Sequence, residues 1–584
     1  MFADPRRRLR STLPSLPTEH NDDKKSISYD KASVGKDVKK GSKHFFFSTP
    51  IAVKSIALTV TALALIIHSS RTVGVEKRPT FNTFAASNTS SAVVTQKHYD
   101  AVILGAGWAG IRAAEILIKG GVENILVLEA HDYIGGRSKT VNLDNSINNP
   151  SMHSNFTNIP FDMGAEWLYD NTEMKDVLVN NGFMKGAQTR KPDAYFIPIV
   201  DSAFYLQTVV EGETIVEGEK ASVKTERMRD DNAKALERRV WGGFKKYRKT
   251  LVARAGKDRS YWSAVEKYKE RLTEDVDIQF IDMVLAAAGQ VDLAEDSTKL
   301  SLARHKINEH EPDPAFYISV PGVGYGNAAA KYAAHHIAHK VHLNSKVTGI
   351  DYSNSSNALV SFTTNGNGGE ENTVLAKTVL VTASLGVLKA GNINFTPRLP
   401  QWKQDVIDGM GFGTMNKCVL IWNDPSAAVW PNTKEWIELL LPKGENSGKW
   451  TTFWNPTKYK GTPVLVGFVG GENARYMETQ TDEEILDDVM RNLKAMFPTI
   501  KRPDRHLVTR WGSDESILGT YSYKIVGRDA SKDRKQLRKT VENIWFAGEA
   551  TSSRYGTTVG AWDTGKAAAE GMLKVLSSGM TSVN

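Results

Sequence analysis

Residues 98–130, "HYDAVILGAGWAGIRAAEILIKGGVENILVLEA", decide the fold. The apolar run at 101–104 predicts a short buried strand, and the run at 125–128 predicts a second one. Between them, residues 108–119 have the spacing of apolar side chains that is typical of a helix. A strand, a helix and a strand in such close succession form a βαβ unit, whose two strands lie parallel in one sheet. The segment therefore predicts an α/β fold with a doubly wound sheet.

Three glycines at the first strand-to-helix turn indicate what this unit binds. Gly105, Gly107 and Gly110 fill the G-x-G-x-x-G pattern. The first glycine permits a tight turn, the second lets a pyrophosphate approach the backbone, and the third lets the helix pack on the strand. The phosphate then lies on the helix N-terminus, where free N–H groups favour an anion. Glu129 ends the second strand, where an acid can bind ribose hydroxyls. The turn is thus predicted to bind a dinucleotide.

The residues that follow indicate which dinucleotide. An acid at position 129, rather than an arginine, disfavours NADP. Gly135, Gly136 and Arg137 come next, in "IGGRSKT" (134–140). Paired glycines bring the backbone close to a bulky ligand, and a guanidinium can pair with phosphate as a planar fork. These residues favour FAD over NAD.

Charge and cysteine content exclude several other classes. The 584 residues carry a net charge of +8, but residues 1–80 hold 15 Lys and Arg against 7 Asp and Glu. The remaining chain has 59 residues of each sign, so bulk charge gives no support to nucleic-acid binding. The basic stripe at 238–249 is interpreted as a solvated helix face. Cys418 is the only cysteine, which excludes intrachain disulfides and cysteine zinc clusters. His335 and His336 lack metal-ligand spacing, so no metal is expected.

The N-terminal part has a different composition from the rest. Residues 1–50 are polar and basic, which predicts a disordered tail. The apolar segment 51–69 follows a group of lysines, so it is interpreted as a single membrane-spanning signal anchor, with the body lumenal or extracellular. A cleaved presequence, giving a secreted or organelle-targeted protein, is the alternative. Residues 70–96 are interpreted as a linker. Three sequons compatible with a glycosylated lumenal body begin at Asn88, Asn155 and Asn354.

A second informative stretch is "GTMNKCVLIW" (413–422), which surrounds one lysine with apolar residues. Its alternation predicts a strand whose two faces carry, respectively, Lys417, Val419 and Ile421, and Cys418, Leu420 and Trp422. An ammonium group on a buried face loses its hydration, so it needs a compensating partner. Lys417 is therefore a candidate functional residue, and the alternative is a lysine that reaches solvent from the strand end.

Six stretches together resemble the FAD-dependent amine oxidases, the monoamine and polyamine oxidase group of flavin-containing amine oxidoreductases. They are "VILGAGWAGIRAA" (102–114), "VLEAHDYIGGR" (127–137), "FDMGAEWLYD" (161–170), "VLVTASLGVLK" (379–389), "TRWGSDESILGTYSY" (509–523) and "IWFAGEATSSRYGTTVGAWDTG" (544–565). The resemblance implies a Rossmann-like FAD-binding domain assembled from the discontinuous segments 97–165, 318–395 and 505–580. It implies an interleaved α+β substrate domain at 166–317 and 396–504.

The resemblance also implies which residues hold FAD. Glu129 would bind the adenosine ribose, and the backbone of Val347 would meet the adenine. Gly136 and Arg137 would lie along the pyrophosphate and ribityl chain, with Glu549 near the same region. The remaining implied residues lie beside the flavin ring: Gly164, Ala165, Glu166, Trp167, Trp511, and Thr558 and Val559 at a helix N-terminus directed at the pyrimidine end. Because no cysteine lies in a segment suited to flavin attachment, noncovalent FAD is expected.

The reaction implied is oxidation of an amine. Hydride passes from the α C–H of the amine to flavin N5, the imine is hydrolysed, and O₂ reoxidises the flavin to give H₂O₂. Lys417 resembles the lysine that binds a water at N5, while Trp511 and Tyr521 resemble aromatic residues beside the flavin. The substrate cage departs from the pattern, since Thr557 stands where a second aromatic ring is expected. Tyr555 is the candidate replacement.

Three functions stay open on the sequence alone. The first is an oxidase of a polyamine or related amine, with O₂ as acceptor. The second is an L-amino-acid oxidase, which needs an arginine clamp from Arg238, Arg254 or Arg554, or a desaturase on the same fold. The third is a weakly catalytic membrane-tethered flavoprotein, which the missing aromatic residue motivates.

Overall fold

The computed structural model describes residues 96–143, 159–169, 172–185, 188–190, 202–210, 222–254, 258–305, 316–318, 323–365 and 369–580. All of them belong to the unit Lys77–Asn584. The tail predicted at 1–50, the apolar segment at 51–69 and the linker as far as residue 95 lie outside the described residues. Within the described part of the chain, every helix is too short or too polar to cross a membrane.

The described residues form the following strands and helices. The strands are β1 (His98–Leu104), β2 (Ile125–Leu128), β3 (Thr140–Leu143), β4 (Ile159–Asp162), β5 (Trp167–Tyr169), β6 (Gln188–Arg190), β7 (Ser202–Val209), β8 (Val223–Arg227), β9 (Phe316–Ile318), β10 (Val341–His342), β11 (Ser345–Asp351), β12 (Ala358–Thr364), β13 (Glu371–Val381), β14 (Asn394–Thr396), β15 (Gly411–Gly413), β16 (Met415–Ile421), β17 (Trp436–Leu440), β18 (Lys449–Trp454), β19 (Val464–Gly470), β20 (Arg505–Val508), β21 (Tyr521–Tyr523) and β22 (Ile544–Phe546). The helices are α1 (Trp108–Lys119), α2 (Glu173–Lys175), α3 (Asp230–Leu236), α4 (Gly242–Arg254), α5 (Tyr261–Lys269), α6 (Asp275–Leu285), α7 (Tyr325–Ile337), α8 (Leu385–Ala390), α9 (Gln401–Gly409), α10 (Thr457–Lys460), α11 (Gly471–Met477), α12 (Asp482–Met496), α13 (Ala530–Arg538) and α14 (Thr558–Met580).

The first sheet contains the dinucleotide unit predicted from 98–130. Its order is β10-β2-β1-β13-β12-β11-β14, with β22 against β13. β1 lies parallel to β2 on one side and to β13 on the other, so a strand from a distant part of the chain flanks the glycine turn. Ala101 and Ile103 face helices α1, α7 and α14, while Val102 and Leu104 face the cluster under α8, α9 and α13. The discontinuous, doubly wound FAD-binding fold is confirmed.

The second sheet carries the lysine strand. Its order is β20-β16-β19-β18-β17-β7-β8, mostly antiparallel, with helices α3 to α6 on one side and α12 on the other. β20 pairs with β16, so residues 505–508 form the edge of this sheet. A mixed sheet flanked by helices is the α+β architecture that was expected.

The alternation predicted for β16 is present. Cys418, Leu420 and Trp422 pack in the cluster under α12. Val419 and Ile421 pack on the opposite face, toward Trp511. Lys417 lies on that opposite face and is buried.

Candidate active site

A cavity of about 940 Å³ lies where the carboxyl ends of β1 and β2 meet the β16 side of the second sheet. Its walls include every residue that the resemblance implies for FAD or catalysis, with the exception of Gly110. That glycine lies in the first turn of α1, directly after the lining residue Ala109. The structure therefore brings together predicted site residues from seven separated parts of the chain.

The glycine turn forms one end of the cavity. Gly105 has φ +98°, a conformation that favours glycine. A Cβ atom on Gly110 would lie 2.0 Å from the carbonyl oxygen of Gly105, whereas one on Gly107 would meet no protein atom within 4 Å. Gly107 precedes the first turn of α1, where backbone N–H groups lack helical partners. The turn thus leaves open space at the position where a pyrophosphate approaches, and closes the space where helix meets strand.

The acid at the end of β2 is held by its neighbours. Glu129 accepts hydrogen bonds from the backbone N–H of Ala106 at 2.7 Å and of His131 at 2.9 Å. The ring of His131 bridges Glu129 to Asp514. Burial opposes the charge on His131, but the two carboxylates raise its pKa to about 9. Nothing in the sequence pairs His131 with Asp514, because the contact joins residues 383 positions apart. Val347 lines the same end, at a bulge in the pairing of β11 with β12.

Arg137 and Glu549 meet on the cavity wall. Nη1 of Arg137 lies 3.0 Å from Oε1 of Glu549 and donates to the carbonyl of Thr520. The other oxygen of Glu549 accepts from Ser522. Burial disfavours the charge on Glu549, but Arg137 and Arg534 lower its pKa. A fixed guanidinium between the nucleotide end and the flavin end fits a ligand that carries phosphates.

The stretch 162–167 runs beside Arg137. The backbone N–H of Ala165 donates to the carbonyl of Arg137 at 3.0 Å. A Cβ atom on Gly164 would lie 1.8 Å from that carbonyl and 3.3 Å from the ring of Trp511. Residue 164 therefore has to be glycine. Trp511 and Trp167 both line the cavity beside it.

Lys417 finds its compensating partner in Glu166. Its Nζ lies 2.7 Å from Oε2 of Glu166, and both side chains are less than a tenth exposed. The same nitrogen donates to the carbonyls of Asp162 at 3.1 Å and Gly164 at 2.7 Å. Burial raises the pKa of Glu166, and the neighbouring Lys417 opposes that shift. The ammonium therefore faces the cavity and does not reach solvent from a strand end.

Helix α14 begins at the cavity, as the resemblance implies. Its first residue, Thr558, exchanges a hydrogen bond of 2.6 Å with the hydroxyl of Tyr325, and Val559 is buried. The hydroxyl of Thr557 accepts from the N–H of Gly560. The N-terminus of a long helix at this position favours negative charge on a ligand.

The far end of the cavity combines aromatic rings with an unpartnered acid. Tyr521 donates to the backbone carbonyls of Val291 at 3.1 Å and Asp292 at 2.9 Å. No described residue donates a hydrogen bond to the Asp292 carboxylate, and burial raises its pKa to about 7. Sequence reasoning missed Asp292, since a single acid after an apolar helix carries no pattern. Tyr555 also lines this end, with the guanidinium of Arg534 4.0 Å from its ring centroid.

Several candidates lie away from the cavity. Arg238 is exposed and donates to a carbonyl of its own helix. His335 and His336 pack against Phe183. Cys418 is fully buried in the hydrophobic cluster behind β16. A group of acids, Glu295, Asp296 and Glu472, surrounds Arg475 instead of a cavity wall.

The glycine turn, the guanidinium of Arg137 and the N-terminus of α14 fit FAD. The cavity extends beyond these features to Tyr521 and Asp292. These features define an FAD-dependent oxidoreductase with a dinucleotide-binding domain. The chain belongs to the family described as flavin containing amine oxidoreductase, which it matches over residues 108–573. The expected family, cofactor and enzyme class, an oxidoreductase acting on amine donors, are therefore confirmed.

Named relatives and a solved structure agree with this assignment. Polyamine oxidase 2 of Arabidopsis thaliana is 39% identical over 199 residues, which cover 34% of this chain and 39% of that protein. Polyamine oxidase 4 of Oryza sativa subsp. japonica is 28% identical over 480 residues, covering 80% of this chain and 87% of that protein. A structure of wild-type putrescine oxidase bound to putrescine has a TM-score of 0.60 at 18% identity, covering 82% of this chain and 99% of that one. At this identity, the last comparison shows a shared fold.

Proposed function

We propose that the protein oxidises a polyamine or a related amine that carries a second cationic nitrogen. The observation that carries this proposal is the Asp292 carboxylate, which lines the cavity without a hydrogen-bond donor among the described residues. A partly buried carboxylate without a partner is costly, and a cationic ligand would offset that cost. The names of the relatives, polyamine oxidases from two plants, support the same substrate class.

The residues of this chain would then divide the work of binding. Tyr521 ties its hydroxyl to the backbone at Asp292, so the ring and the acid keep a fixed relation to each other. Lys417 and Trp511 stand toward the Gly164 side of the cavity, where the reacting nitrogen would lie. FAD held by Arg137, Glu549 and the glycine turn would supply a hydride acceptor for the amine α C–H and a route for the two electrons to O₂, with H₂O₂ as product.

The experiment compares amines that differ in their second nitrogen. Purified protein should release H₂O₂ with spermine, spermidine or putrescine, and much less with a monoamine of equal length. Replacing Asp292→Asn should raise KM for the polyamine about 10-fold to 100-fold, since a charge-assisted contact contributes roughly 1.5–3 kcal/mol. Asp282→Asn is the matched control, because Asp282 is a largely buried carboxylate paired with Lys269 away from the cavity. Equal activity on the monoamine, or an unchanged KM in the Asp292 variant, would contradict the proposal.

An amino-acid substrate is the second candidate, because Arg304, Lys524 and Arg554 also line the cavity. Arg554 is already paired with Asp563, and Arg304 lies 3.3 Å from Asp529. A carboxylate would have to compete with these acids for the guanidinium groups, which favours an amine. A panel of L-amino acids in the same peroxide assay separates the two substrate classes.

We further propose that FAD is held noncovalently and that residues 51–69 anchor the catalytic body on the lumenal or extracellular side of a membrane. The buried position of Cys418 supports the first point. The apolar composition of 51–69 and the exposure of the sequon at Asn354 support the second. Acid precipitation should release free FAD. Full-length protein should resist carbonate extraction and shift in mass on deglycosylation, whereas loss of both behaviours would contradict the membrane topology.

A further inference from the structure

The ammonium of Lys417 has a complete set of acceptors. A lysine ammonium has three N–H donors, and Nζ of Lys417 has three acceptors, the carbonyls of Asp162 and Gly164 and the carboxylate of Glu166. The two carbonyls belong to the backbone of the wall, and only Glu166 brings a full negative charge. The position of this charge in the cavity therefore depends on one side chain.

Lys417 and Glu166 belong to a cluster of four buried charged side chains with no net charge. Lys417 and Lys460 are positive, and Asp162 and Glu166 are negative, each no more than 8% exposed as a residue. Lys460 donates to the carbonyl of Pro160 at 2.8 Å, and Asp162 accepts from the backbone N–H of Tyr325 at 2.8 Å. Burial lowers the pKa of Lys460, while Asp162 and Glu166 oppose that shift. Neutralising Glu166 would leave two buried cations against one buried anion.

We propose that Glu166 is the positioning residue for Lys417, whose ammonium it holds, charged and fixed, toward the reaction end of the cavity. Among the described acids that line the cavity, Glu166 is the one that forms an ion pair with Lys417. That the ammonium acts in an amine oxidation rests on the proposed function, whereas the pairing of Glu166 with Lys417 does not.

Thermal melting of the purified protein tests the pairing without any turnover. Glu166→Gln keeps the shape of the side chain and removes its charge, so the buried ammonium loses its counter-ion. Breaking a buried pair in this way should lower Tm at pH 7 by about 5 °C. The deficit should shrink as the pH rises from 7 toward 10, because loss of a proton relieves the uncompensated positive charge of a lysine that lacks its counter-ion.

A double variant makes the test specific. Adding Lys417→Met to Glu166→Gln removes the stranded cation, so the double variant should melt above the single Glu166 variant. Glu166→Asp keeps the carboxylate and should show no narrowing of its Tm deficit between pH 7 and pH 10. Glu295→Gln is the matched control, since Glu295 is a buried glutamate paired with Arg475 away from the cavity. Because arginine stays charged at pH 10, the deficit of this control should not narrow either.

Turnover then connects the pairing to the reaction. With an accepted polyamine, Glu166→Gln should lower kcat at least about 10-fold and leave KM within about 2-fold, because Asp292 still binds the second nitrogen. If no amine in the panel is oxidised, the substrate proposal fails while the melting experiment still decides the role of Glu166. The inference is overturned if Glu166→Gln melts like the wild type at every pH, or if the double variant melts no higher than the single one.

Discussion

At the nucleotide end of the cavity the backbone forms the site, whereas at the reaction end side chains form it. Gly105, Gly107 and Gly110 lie within six residues of one another, and their spacing alone determines the shape of the turn. Lys417 and its partner Glu166 are 251 residues apart in sequence and meet at 2.7 Å. The first end is therefore determined by local geometry, and the second by the packing of one sheet against the other.

This difference determines which substitutions each end of the cavity tolerates. A backbone site depends on the absence of side-chain atoms, so any added atom at a crowded glycine blocks it. A side-chain site depends on paired charges in a dry environment, so the removal of one partner leaves the other without compensation. The two ends should consequently respond differently to substitution, and three predictions follow that difference from its largest effect to its smallest.

Gly110→Ala should have the largest effect. The new Cβ would lie 2.0 Å from the carbonyl oxygen of Gly105, so α1 must move away from β1 and the turn must change. We expect protein with at most about a tenth of the normal FAD content, since overpacking of this kind costs about 1–3 kcal/mol or more. Absorbance of bound flavin relative to protein measures this content.

Gly107→Ala is the matched comparison at the same turn. A Cβ there meets no protein atom within 4 Å, so the FAD-free variant should melt at the temperature of the FAD-free wild type. The variant should lose FAD affinity because the methyl group occupies the space of the pyrophosphate. If both variants retain normal FAD affinity, the glycine turn is not the binding site.

Lys417→Met should have the next largest effect, and it tests the other end. The variant should bind FAD and polyamine normally and lose turnover about 100-fold or more, a typical cost of removing one preorganised charged group from an active site. Lys460→Met is the matched control, since Lys460 is another buried lysine of the same charge cluster that does not line the cavity. That control should lose stability and keep turnover within about 3-fold. Equal losses of turnover in the two variants would indicate that Lys417 contributes only to folding.

The same contrast determines how much the sequence could predict. The strand at 125–128 and the helix at 108–119 match β2 and α1, because their apolar spacing is a local signal. The two faces of β16 were also predictable from alternation. The partner of Lys417 was not, although Glu166 itself was predicted to lie near the flavin. This pairing across 251 residues depends on the path of residues 162–167 beside Arg137. No pattern in the sequence indicates that path.

Asp292 shows the limit of sequence reasoning most clearly. It follows a π-helical turn, Ala286–Val291, and such turns are frequent at functional sites. Apolar spacing predicts helix there but not the wider turn, which sets the direction in which the next side chain points. The backbone at Asp292 is held by Tyr521, 229 residues away. The role of such a carboxylate can be inferred only from the cavity around it, and no sequence pattern indicates it.

The pH dependence of substrate binding should show the smallest effect of the three. Burial raises the pKa of Asp292 from an ordinary carboxyl value to about 7, so the carboxylate is charged above pH 7 and becomes neutral as the pH falls below it. Polyamine nitrogens have amine pKa values near that of lysine and stay cationic across this range. The contact between Asp292 and the second nitrogen should therefore weaken about 10-fold between pH 8 and pH 6, following the ionised fraction.

The measurement is the ratio of kcat/KM for wild type to that for Asp292→Asn across the range. Because other titrating groups act on both proteins, they cancel in the ratio, which should fall on the acid side with an apparent pKa near 7. A ratio that stays constant from pH 6 to pH 8 would mean that the second nitrogen binds elsewhere in the cavity and that Asp292 does not bind the substrate.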